Sequence, residues 1–87
     1  MKQGDIVSVI TLAGEVIGKL KEIGSTITLE DPRMLIQTEQ GMGFAHGVCV
    51  TGESNPKEIT FQQYVFVTPT KEEIVKGWRE ATSGIIT

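Results

Sequence analysis

His46 and Cys49 are the only histidine and the only cysteine of this 87-residue chain, and they are its first candidates for chemistry. A zinc site needs three or four ligands of this kind, so a pair three positions apart predicts no metal and no other cofactor. As a general base, His46 would need a Ser or Cys nucleophile at a workable spacing. None stands there, so no catalytic residue is assigned and no enzyme activity is expected. Cys49 lies between Val48 and Val50 in an apolar run, where a buried, inert thiol is the ordinary expectation. Gly41-x-Gly43-x-x-x-Gly47 resembles a nucleotide-binding loop but misses the dinucleotide spacing by one residue and precedes a strand-like run instead of a helix. It reads as a hairpin.

Charge narrows the partners. The net charge is -3 and the pI about 5.0, so the chain lacks the broad positive field that drives non-specific nucleic-acid binding. Any nucleic-acid site must be local. Lys19 and Lys21 share one face of a strand and read as a solvated face, which an assembly would repeat as a modest basic band around its axis. Trp78 has a ring that could stack on a base, but its spacing from Ile74 and Ala81 places it in a core.

Hydrophobic residues make up 39% and charged residues 22%, which describes one ordinary domain, 1–87, with room for one core. Chains this short bury a small share of their surface and need reinforcement. A lone cysteine cannot form an intramolecular bridge, which leaves self-association and suits a reducing cytoplasm. The opening MKQGDIVSVITL is interrupted by Gly4, Asp5 and Ser8, too soon for a signal peptide or a membrane span. A cytoplasmic location and no membrane contact are therefore expected.

The elements that would position these residues are mostly strands. Ile6 to Leu12 is apolar and β-branched, and Ala13-Gly14-Glu15 turns it into a second strand reaching Ile23, with Gly18 marking a bulge or bend. Gly24-Ser25 is the next turn. From Thr26 to Glu30 the residues alternate, with Ile27 and Leu29 on one face. Pro32 cannot donate a ladder bond and predicts a kink before Met34 to Gln37. A hairpin at Gln40 to Gly43 leads to a fourth strand, Phe44 to Val50, and TGESNPKE (Thr51 to Glu58) reads as an exposed loop. The fifth strand, Ile59 to Thr68, is apolar on both faces, as a strand central in a sandwich or pressed against a neighbouring subunit would be, and the second fits the need for reinforcement.

After Pro69 the periodicity becomes helical over about 70–82. Thr70 is the expected N-cap, with Glu73 completing a capping box. Ile74, Val75, Trp78 and Ala81 form the apolar stripe, and Glu72, Lys76 and Glu80 form a charge ladder opposite. Gly77 weakens the helix by about 1 kcal/mol relative to alanine, and Gly84 is the expected stop.

The run from Val9 to Asp31, VITLAGEVIGKLKEIGSTITLED, resembles the first signature of the Sm and Sm-like proteins. Leu12, Gly14, Gly18, Leu20, Leu29 and Asp31 fall on that pattern without a gap. The chain looks most like the small Sm-like proteins of bacterial viruses, those of cyanobacteria in particular, over roughly Asp5 to Thr68. The resemblance implies a mainly β fold: a small, strongly bent five-stranded Sm-like (SH3-like) barrel over about 5–68, here with a C-terminal α-helix. It implies a non-enzymatic binding module built as a homo-oligomeric ring of roughly five to seven subunits. Phe44, Val48, Val50, Tyr64 and Phe66 would form the interface. Single-stranded RNA is the ligand the family suggests, and a viral or host protein, held by a scaffold that binds no RNA, is the alternative.

By position in that pattern the RNA-contacting residues would be Gly24, Thr26 and Thr28, with Asn55 and Lys57 in the region where the family has Arg-Gly. Thr26 stands where uridine-binding relatives carry a stacking ring, Thr28 stands where they carry Asn, and no Arg-Gly pair occurs in the chain. The family's helix precedes its first strand, whereas this one follows the last.

Overall fold

β-branched runs broken by glycine turns fold here into a meander that wraps one apolar cluster. The computed structural model describes residues 1–49 and 51–83. Its strands are β1 (Ile6–Thr11), β2 (Gly14–Ile23), β3 (Ile27–Thr38), β4 (Gly41–Phe44), β5 (Glu58–Phe61) and β6 (Phe66–Pro69), followed by one helix, α1 (Glu72–Thr82). They form a six-stranded sheet in the order β4-β3-β2-β1-β6, with β5 also on β3, and the pairings are antiparallel. The protein is thus mainly β, with a C-terminal helix.

Strand alternation sorts the two faces of the sheet. Val7, Val9, Val16, Leu20, Ile27 and Leu29 form the buried cluster, and Met34, Val48, Phe61, Tyr64 and Val67 pack against it. Each fully buried aliphatic side chain contributes about 1.5–3 kcal/mol. Residues of β1, β2, β3, β5 and β6 all reach this one cluster, so the sheet curls around it. On the opposite face the register aligns Ser8 with Ile17 and Ile17 with Arg33, and all three are buried.

The bulge expected at Gly18 is present. The β2–β3 register passes from Lys19↔Glu30 to Ile17↔Arg33, so Asp31 and Pro32 together oppose Gly18 in a bulge. A Cβ on Gly18 would lie 3.0 Å from Leu29 Cβ and 3.2 Å from the Glu30 carbonyl, so the strands approach too closely there for a side chain. Asp31 takes a φ of 50°, which asparagine and aspartate tolerate better than most residues. Its N–H donates to the Lys57 carbonyl at 2.8 Å. Gly77 serves packing as well: a Cβ there would meet Phe44 Cε2 at 3.1 Å.

The helix lies across the second face. Thr70 Oγ1 and Ser8 Oγ share a 2.7 Å hydrogen bond, and Trp78 Nε1 donates to the Asp31 carbonyl at 2.9 Å. α1 therefore spans from β1 to the β3–β4 side, with Val75 and Trp78 buried beneath it.

Several expectations need correction. The fourth strand is Gly41–Phe44, not Phe44 to Val50: the Thr38–Gly41 turn sets the register Leu35↔Phe44, and 45–49 leave the ladder. In consequence Cys49 is exposed, not buried. The long fifth strand is two short ones, because the chain leaves the β3 edge after Phe61 and must cross to the β1 edge at Phe66. Thr26 belongs to the turn before β3. Thr70 does not cap the helix. The N-cap position is Lys71, without a side-chain cap bond, because Ser8 holds the threonine hydroxyl. Ala81 is exposed and Thr82 half-buried, so the stripe runs through Val75, Trp78 and Thr82. Val50 and Gly84 lie outside the described residues.

Candidate functional site

The residues that the Sm-like pattern would assign to RNA lie in two groups. The turn after β2 carries Gly24 and Thr26, closed by a 2.8 Å bond from the Gly24 N–H to the Thr26 carbonyl. Gly24 is exposed and Thr26 half-buried. Thr28 follows on β3 directly opposite Thr60 on β5. Their hydroxyls are 2.8 Å apart and hydrogen-bonded, and Thr28 is only 6% exposed. Its hydroxyl is therefore engaged within the sheet and largely withdrawn from solvent.

Asn55 and Lys57 sit on the loop that returns to the free side of β3. Asn55 has a φ of 54°, and its N–H donates to the His46 carbonyl. Both side chains are exposed. Lys57 is tied to the bulge through its carbonyl, which accepts from Asp31, so its ammonium group is left to solvent. The loop is not exposed throughout, since Pro56 is buried and its carbonyl accepts from Arg33 Nη1 at 3.2 Å.

The basic face fares poorly as an anion site. Lys21 Nζ sits 2.7 Å from Glu58 Oε1. That hydrogen bond and charge, with Glu30 and Glu22 nearby, raise the lysine pKa above its ordinary value. Lys19 faces Glu30 across the ladder. Lys21 thus has a carboxylate partner, while Lys19 only shares a ladder position with Glu30.

Of the expected interface residues, Phe44, Val48 and Tyr64 make contacts within the chain. Phe44 lies under Gly77 of α1, Val48 packs on the core cluster, and Tyr64 packs there too while its hydroxyl donates to the Gly24 carbonyl at 3.0 Å. Phe66 is 52% exposed and Val65 58%. The β6 side therefore presents apolar surface beside an edge that β1 does not fill. At the other end of the strand order Met42 is 60% and Ile36 42% exposed.

His46 and Cys49 do come together in one cleft. Met34, Ile36 and Val48 line its apolar part, and Glu53 and Ser54 stand with the histidine and cysteine on the loop side. Among the described residues no group of three or more His, Cys, Asp or Glu side chains is arranged to hold a metal ion, and no helix is long and apolar enough to cross a membrane.

Sequence reasoning missed Arg33. It is 3% exposed. Its Nη1 donates to the Pro32 carbonyl at 2.8 Å as well as to Pro56, while Nε is buried without a partner. Burial pulls its pKa below the ordinary value, and the Asp31 charge opposes that shift. An arginine next to a proline in a strand-like run gives no warning of such burial. Only the bulge at Gly18 turns it into the sheet.

With this geometry in hand, comparison with protein-family models and with curated proteins finds no match for the chain.

Proposed function

We propose that the chain is an Sm-like subunit of a homo-oligomeric ring and acts as a non-enzymatic binding module, with single-stranded RNA as its ligand. The strand order is the observation that supports this reading. Among the described residues, a meander β1-β2-β3 with β4 and β5 on the far side of β3 and β6 on the far side of β1 leaves the outer sides of β4 and β5 unpaired at one end and that of β6 at the other. Both edges carry exposed apolar side chains. Unpaired apolar edges are a liability unless another strand covers them. Head-to-tail pairing of one edge with the other satisfies both and closes into a ring when the rotation per subunit allows it. The curled sheet around one cluster fits a small bent barrel, and the chain's Sm-like signature falls on β1, β2 and the start of β3.

A specific observation favours the alternative ligand, a viral or host protein. Thr28 is buried and bonded to Thr60, Thr26 has no ring, and Lys21 is paired with Glu58. A protein-interaction or scaffolding ring needs none of these groups.

Native mass spectrometry tests assembly, and fluorescence polarisation with labelled oligo-U and oligo-A at two salt concentrations tests the ligand. The proposal expects a discrete closed oligomer and micromolar RNA binding that weakens with salt. A monomer at high concentration would overturn the ring. An oligomer without RNA binding at low salt would leave the scaffolding reading.

A further inference from the structure

His46 and Cys49, the only histidine and the only cysteine of the chain, share a cleft of about 320 Å³ with Met34. Imidazole, thiolate and thioether are the side-chain groups that ligate soft metal ions. Two ladder bonds set His46 opposite Met34: the Ala45 N–H donates to the Met34 carbonyl at 2.9 Å, and the Met34 N–H donates to the Gly47 carbonyl at 3.0 Å. From the loop side the Asn55 N–H holds the His46 carbonyl. Cys49 is free and exposed, and its sulfur lies against Gly52, where a side chain would displace it.

We infer that this cleft binds one soft monovalent cation, copper(I), through the Cys49 thiolate, a His46 imidazole nitrogen and the Met34 thioether. The thioether rests beside Gly14, and the unbranched methionine chain, with its three rotatable bonds, can turn the sulfur to the ion. On binding, the thiol proton leaves to solvent and a copper–sulfur bond takes its place. The copper stays monovalent, so no oxidant or reductant takes part.

The lining selects against other cations. A thiolate and copper(I) together carry no net charge, which suits a cleft walled by Ile36 and Val48, whereas a divalent ion would leave a charge against apolar side chains. Zinc is held by several nitrogen, sulfur or carboxylate ligands. Glu53 borders the cleft, yet among the described residues no three His, Cys, Asp or Glu side chains are arranged to hold a metal. Calcium and magnesium need still more oxygens.

The test is an anaerobic titration of the full chain with copper(I) against a coloured competing chelator. Native mass spectrometry reads the stoichiometry, and ¹³C-methyl NMR reads the methionines. One copper(I) per chain is expected, with the Met34 methyl resonance displaced and those of Met1 and Met42 unmoved. Losing a group that only orients a ligand costs about 10–100-fold in affinity, so Met34→Leu and His46→Gln should each weaken binding about ten-fold or more, and Cys49→Ser should weaken it further. His46 and Cys49 are exposed and leucine keeps the volume of methionine, so circular dichroism should show all three variants folded. Unchanged affinity in Met34→Leu or in His46→Gln, one copper shared between two chains, or no binding at micromolar copper(I) would each overturn the proposal. The cleft adjoins β4, an edge that ring closure would pair, and mass separates the two readings. A ring that takes no copper removes this site and leaves the ring, whereas copper bound by a monomer does the reverse.

Discussion

The indole N–H of Trp78 donates to the backbone carbonyl of Asp31 at 2.9 Å, which fastens the C-terminal helix to the one residue of β3 whose φ is positive. The bulge opposite Gly18 turns that carbonyl out of the ladder, and the helix supplies its donor. Trp78→Phe keeps most of the buried area but leaves the carbonyl without its partner, and should cost about 1–3 kcal/mol. Trp78→Ala also opens a cavity and should cost about 3–5 kcal/mol. Urea unfolding of both variants checks the order. Equal losses would mean that packing alone holds the helix.

Gly18 and Gly77 both stand where a methyl group would be crowded, but with different neighbours. At Gly18 the obstacles are Leu29 Cβ and the Glu30 carbonyl, which the sheet holds in place, so Gly18→Ala should lose about 1–3 kcal/mol. At Gly77 the obstacle is the edge of the Phe44 ring, and alanine gains about 1 kcal/mol of helix propensity. Gly77→Ala alone should be near neutral, and in a Phe44→Leu background it should stabilise. Thermal melts of the four proteins separate propensity from contact. A loss for Gly77→Ala as large in the Phe44→Leu background as in the natural one would refute this account.

What the sequence made legible was whatever depends on near neighbours. The alternation of Ile27 and Leu29 placed the core face of β3, and Gly18 and Pro32 announced a bulge that the ladder contains. Long-range competition defeated the rest. Thr70 and Glu73 have the spacing of a capping box, yet Ser8, sixty-two positions away, takes the threonine hydroxyl. Val48 and Cys49 have the composition of a strand, but the turn at Thr38–Gly41 closes earlier and spends the free edge of β3 on Gly41–Phe44. Ile59 to Thr68 reads as one strand because no local signal says that the chain must change edges. Among site residues, Thr28 lies on β3 as the alternation expects and Thr26 falls in the turn before it, while the bond from Thr28 to Thr60 depends on a pairing with β5 that spacing does not reveal.

Arg33 carries a buried charge that two backbone carbonyls only partly satisfy. Replacing such a group by an apolar side chain of similar volume is often neutral or stabilising. Arg33→Met should therefore raise stability, by about 1 kcal/mol, whereas Arg33→Ala leaves a cavity and should lower it. Because the folded-state pKa lies below the unfolded one, the charged form is disfavoured at every pH where arginine is ionised, and relief comes only at extreme alkalinity. The gain from Arg33→Met should be the same at mildly acid and mildly basic pH. A gain confined to one end of that range would point to another titrating group.

Lys21 has the opposite sign. Its folded pKa is raised by Glu58, so the stabilisation from this pair is fully present below the ordinary lysine value and is lost as pH rises through the folded one. Both partners are largely solvated, and exposed pairs contribute little and are screened by salt. Lys21→Met should leave the unfolding midpoint nearly unchanged at neutral pH in high salt. A large loss there would mean that the lysine stem packs on the sheet.

Phe66 decides whether the free edges meet. Its side chain is 52% exposed on a strand paired only with β1 among the described residues, so Phe66→Glu should change monomer stability by no more than about 0.5 kcal/mol. Tyr64 would be a poor probe of the same edge, since it packs on the core and a charge there would unfold the chain before it separated subunits. Met42, exposed beside the opposite edge, is the natural second site. A buried glutamate at either position would lack a counterion across the interface and disfavour association. Light scattering should therefore show a lower mass for Phe66→Glu and for Met42→Glu, each with an unchanged circular dichroism spectrum. Because one edge of each variant remains intact, mixing the two should restore a heterodimer. Full-size assemblies from both single variants would mean that subunits meet through another surface.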